Sequence, residues 1–151
     1  MFGGGLRIAT SFLTWDATDP LLELIALKID LLALFGLMGI WLAQRVQLGW
    51  PGFLAFVFAE SGIASIVGPD TTAFGIDTYQ AGVSVIAIGL GALGLLMLVN
   101  GHLLNRFAGL CWIGSLVAGI GGAALGMSAE GFVAGGVLYG AGFILGGLGL
   151  V

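Results

Sequence analysis

Gly52 to Gly68 reads GFLAFVFAESGIASIVG, an apolar run behind Pro51 with one carboxylate, Glu60, near its middle. A carboxylate in hydrocarbon costs about 2.5 kcal/mol or more on insertion scales, so an acid inside such a run is a functional-site hypothesis. The rest of the chain is further apolar runs separated by short polar ties. Of its 151 residues 59% are hydrophobic and only 8% charged, too few polar side chains to cover a water-soluble globule. The reading is an all-α fold, a polytopic transmembrane helix bundle forming a single integral membrane domain over residues 1–151, with the lipid bilayer as its first partner.

Five spans are expected, at about 20–43, 51–68, 79–99, 107–127 and 131–151, each near the roughly 20 residues that cross about 30 Å of hydrocarbon. Asp16-Ala17-Thr18-Asp19-Pro20 reads as a helix start, with Thr18 or Asp19 as N-cap and Pro20 in the first turn. Residues 1–19 read as an interfacial segment, because Arg7 and Asp16 bracket too little apolar length to cross. Gln44 to Trp50 reads as a polar turn, Gly68-Pro69 as the end of the second span, and Asp70 to Asp77 as an acidic loop, with no sheet anywhere. The ties holding Arg45 and Arg106 fall on one side of this arrangement, and those holding Asp70, Asp77 and Glu130 on the other. Positive-inside counting then gives a multi-pass protein of the cell membrane, N-terminus outside and C-terminus cytoplasmic.

Most of the 29 glycines lie after residue 80. Gly114, Ala118, Gly122 and Gly126 recur at four-residue steps, and Gly135, Gly142 and Gly146 belong to similar small-residue pairs in the last span. In lipid, such faces let helix backbones approach and pack by dispersion. A Gly-rich C-terminal hairpin is the expectation; packing between copies in a homo-oligomer, or against other membrane subunits, is the alternative use of the same faces.

At 1.5 Å per residue Glu60 lies roughly 15 Å from the boundary near Trp50, and Asp30 roughly 21 Å from the same side. Two acids about a turn apart on adjacent antiparallel helices read as steps on a proton or cation path, as a neutral Glu60 that hydrogen-bonds a neighbour, or as an intersubunit contact. Ser115 and Tyr139 fall near the same depth, so the expected polar layer is Glu60, Asp30, Ser115 and Tyr139. From Asp19 onward, Glu23 and Asp30 share a helical face, either a wet outer end or a cation-attracting vestibule, with Lys28 snorkelling elsewhere.

Enzymatic readings fare poorly. Cys111 and His102 are the single cysteine and histidine, so no cofactor, cysteine metal cluster or His-rich metal site is expected. Ser115 has no base in reach, no glycine run ends in GK[ST], and four Lys and Arg are too few for a nucleic-acid partner. Phe58-Ala59-Glu60, with Gly62 following, resembles the carboxylate helix of rotary-ATPase proteolipid subunits. Those proteins place a glycine-repeat helix before the carboxylate helix, whereas the first span here is charged and leucine-rich, so the resemblance transfers no function. Two readings stand: a non-catalytic structural or accessory subunit of a membrane assembly acting through helix packing, or a small proton- or cation-conducting channel or coupled transporter using Glu60 and Asp30.

Overall fold

The computed structural model describes residues 1–13, 19–67, 72–73 and 75–150. The elements run α1 (Phe2–Thr10), α2 (Pro20–Ile66), β1 (Thr72–Ala73), β2 (Ile76–Asp77), α3 (Thr78–Asn100), α4 (Leu103–Ala124) and α5 (Ser128–Leu148). Three of the helices, α3, α4 and α5, are long and apolar enough to cross a membrane. Asp19 caps α2, its Oδ1 accepting the Leu21 N–H at 2.8 Å with Pro20 next in line. The expected helix start at Asp16 to Thr18, the Gly68-Pro69 end and Asp70 lie outside the described residues.

α2 is a hairpin, not a rod. Trp41 stacks on Phe56 with ring centroids 5.5 Å apart, whereas a straight helix would hold the two residues roughly 22 Å apart. The reversal is at Gly49, whose φ of 58° and ψ of −156° belong to a region that side chains with a Cβ avoid. Pro51 opens the returning limb, and Trp41 and Trp50 both pack on Phe53. The turn is therefore shorter than the polar stretch from Gln44 to Trp50 suggests: helix persists through Leu48, and Gln44 and Leu48 are buried with Leu37 and Ile40 on one stripe.

Two other boundaries move. α4 begins at Leu103 and α5 at Ser128, so the first tie shrinks to Gly101-His102 and the second moves back to Leu125-Gly126-Met127. Gly126, expected on the packing face of the fourth span, has φ 70° and turns the chain instead. The acidic loop is also not wholly irregular, because Thr72–Ala73 pairs antiparallel with Ile76–Asp77 around Gly75. Asp77 then caps α3, its Oδ1 accepting the Gln80 N–H at 3.0 Å.

Neighbouring helices meet at glycines. A Cβ on Gly62 would stand 2.9 Å from the Gly82 carbonyl oxygen, one on Gly94 2.7 Å from that of Gly109, and one on Gly122 2.6 Å from the Gly131 Cα. Those contacts join α2 to α3, α3 to α4 and α4 to α5. The first limb of α2 completes the ring on α5, with Ile40 against Gly146 and Gly36 against Phe143. Leu37, Ala59, Ile63, Leu93, Met97, Ala108 and Trp112 fill the middle, all at 0 or 1% exposure. Outside, Ile88, Leu95, Val99, Val117 and Ile120 are more than half exposed, an apolar exterior that suits lipid.

α1 seats in the groove between α5 and α2. Gly3 lies against Leu32, Gly4 against Gly140, Arg7 and Ser11 against Gly136, and Met1 against Gly147, so α1 runs antiparallel to α5 along its side. Met1 thus ends beside the C-terminal turn of α5. Gly3 and Gly4 give α1 the smooth face that allows this seat.

Candidate functional site: polar groups inside the bundle

Where an apolar bundle encloses polar side chains, each must find a partner or cost several kcal/mol. Among the expected residues, Ser115 has one outside the cluster: its Oγ donates to the Gly135 carbonyl at 2.8 Å, tying α4 to α5. Tyr139 packs its ring on Phe143, 5.0 Å between centroids, and its hydroxyl lies within electrostatic range of Asp30, Arg7, Glu60 and Tyr79. Asp30 and Glu60 both lie near enough to Tyr139 for their charges to act on it, whereas Ser115 is engaged with Gly135.

Glu60 sits on the returning limb of α2, one turn beyond Phe56, which stacks on Trp41, and one turn before the fully buried Ile63. Both of its carboxyl oxygens are shielded from solvent, and neither has a hydrogen-bond partner within the described residues. The residue as a whole is half-buried, with its carboxyl end shielded from solvent.

Arg7 is the member that the sequence reading left out. It comes from α1, is half-buried, places its Cζ 5.1 Å over the Phe132 ring, and lies beside Gly136 on the α5 flank. A guanidinium over an aromatic face is favourable, and here the ring, Phe132, is itself exposed on the flank of α5. Asp19 and Asp77, by contrast, are taken up as helix caps; of the rest of the expected acidic face, Glu23 is exposed and Asp30 half-buried.

A second group lies toward the opposite end of the bundle. Gln44 and Asn105 are 3% and 2% exposed, and Trp112 is 1% exposed. Neither amide atom of Gln44, nor Oδ1 of Asn105, nor Nε1 of Trp112 has a hydrogen-bond partner among the described residues. At the rim Gln47 Nε2 and His102 Nε2 hydrogen-bond at 3.1 Å, and Arg106 Nε donates to the Gly101 carbonyl at 2.8 Å. The signal in the sequence was register: Gln44 continues Leu37 and Ile40 at helical spacing, and Asn105 precedes Ala108 and Trp112 in the same way.

Among the described residues no cluster of three His, Cys, Asp or Glu side chains could hold a metal ion. Comparison with protein-family models, with curated proteins and with solved structures finds no match. The functional reading rests on the geometry alone.

Proposed function

We propose that the chain is an integral membrane protein of five crossings, the two limbs of α2 together with α3, α4 and α5, and that it carries protons by way of Glu60. The observation that supports this is the pair of Glu60 oxygens, shielded from solvent and without a hydrogen-bond partner among the described residues, with the charges of Asp30, Arg7 and Glu60 all acting on Tyr139 at the middle of α5. A carboxyl group in that position is an exchangeable proton site. Metal cations fit it less well, since a calcium or magnesium ion takes about six or more oxygens and the Phe56/Ile63 flank of Glu60 offers none.

A second reading is the non-catalytic structural or accessory subunit. It is supported by the backbone-close glycine contacts of α2 with α3, α3 with α4, α4 with α5 and α1 with α5, which favour a compact bundle whatever it does. Liposomes separate the two readings. Reconstituted protein under an imposed pH gradient should dissipate that gradient several-fold faster than protein-free vesicles, and under a sodium or potassium gradient it should not. Flux equal to the vesicle background in both cases leaves the subunit reading.

A further inference from the structure

The layers at the Gly49 end of the bundle can be read turn by turn. Ile40 of α2 and Ala108 of α4 both touch Gly146 of α5, forming one apolar layer. The next layer toward that end holds Gln44, one turn on from Ile40, Asn105, one turn back from Ala108, and Gly149, which lies directly against the Asn105 Oδ1. One turn further, Gln47 and His102 close the end with their hydrogen bond. Gln44 and Asn105 are thus enclosed between an apolar floor and a polar rim, and they do not satisfy each other.

We propose that Gln44 and Asn105 hold an internal water site. Two amide oxygens and one amide nitrogen need both donors and acceptors, and water supplies both, whereas a cation would satisfy the oxygens and leave the Gln44 amide hydrogens facing nothing. Buried waters take such places, making about three hydrogen bonds to polar groups that would otherwise go unpaired. Gly149, lacking a Cβ, lets the Asn105 side chain pack directly on α5. The site lies on the opposite side of the Glu60 level from Arg7 and Asp30. As a supply of protons to Glu60 it rests on the proton reading; as a water site it does not.

Met97 reports on it. This side chain is 0% exposed and lies one turn beyond the Gly94/Gly109 contact, at the level of Asn105. Hydroxyl radicals generated from water by a short X-ray pulse oxidise methionine where water is adjacent, so the whole protein in detergent should show Met97 oxidation despite its burial. The double variant Gln44→Leu/Asn105→Leu should reduce the Met97 rate at least threefold and leave that of Met127, in the α4/α5 turn, unchanged. The variant should also melt no lower than the parent, because it removes three buried polar atoms, Gln44 Oε1 and Nε2 and Asn105 Oδ1, that have no hydrogen-bond partner among the described residues. Met97 left unoxidised in the parent overturns the proposal without need of any variant. So does Met97 oxidation that is equal in parent and variant. Proton flux is measured separately, so its loss or presence does not decide this outcome.

Discussion

Gly122 and Gly131 meet backbone to backbone: a Cβ on the first would stand 2.6 Å from the Cα of the second, and one on the second 2.7 Å from the Cα of the first. The contact is reciprocal and has no flexible side chain on either side to yield. Gly122→Leu should therefore push α4 from α5 and lower stability by about 1–3 kcal/mol, the usual cost of overpacking. Thermal unfolding in detergent checks this, with Gly119→Ala as control, since nothing lies within 4 Å of a Cβ there. An unchanged melting temperature for Gly122→Leu would count against the packing.

The hairpin in α2 hangs on Gly49. Its φ and ψ lie where only glycine sits without strain, so Gly49→Ala should cost about 1–3 kcal/mol although open space surrounds the position. Gly39→Ala, on the first limb with equally open surroundings, should be neutral or slightly stabilising. Equal melting temperatures for the two variants would contradict a reversal at Gly49.

How far the sequence carried the reading can be seen at individual residues. Glu60 stood out because an acid interrupts an apolar run, and Asp19 and Pro20 because capping is a local signal. Gln44 and Asn105 did not stand out, since polar residues near the ends of apolar runs read equally well as turn; only the stripe through Leu37, Ile40 and Gln44 separates the cases. The seat of α1 was hidden for another reason. Nine residues are too short to announce a membrane element, and Gly4 becomes a packing residue only when Gly140 is placed against it. Ser115 was expected beside Glu60 by depth, but depth fixes level and not direction, and its hydroxyl turns to Gly135.

The position of α1 leads to a prediction about topology. Met1 lies beside Gly147, so cysteines introduced at Phe2 and at Leu150, in a Cys111→Ala background, should be labelled by a membrane-impermeant maleimide from the same side of sealed vesicles. Labelling from opposite sides would contradict the antiparallel seat of α1 on α5. Gly140→Val should abolish that seat, because the position faces the Gly4 carbonyl, and it should make α1 susceptible to protease at lower concentration than in the parent.

Arg7 is expected to act on the acid cluster rather than merely to hold α1. Arg7→Met keeps the length and apolar stem while removing the charge, and should lower proton flux by several-fold while leaving the α1 protease pattern unchanged. Unchanged flux would remove Arg7 from the site and leave its contact with Phe132 as its whole contribution.

The central claim is that the buried Glu60 carboxyl carries the proton, and reconstituted vesicles with an internal pH indicator measure it most directly. Three proteins are compared at equal incorporation, each shown to melt as the parent does: parent, Glu60→Gln and Glu60→Asp. Glu60→Gln keeps the shape and removes the exchangeable carboxyl; its rate should fall to that of protein-free vesicles. Glu60→Asp restores a carboxyl about one methylene short and should retain a measurable fraction of the parent rate. A Glu60→Gln protein that dissipates the pH gradient as fast as the parent would contradict the account.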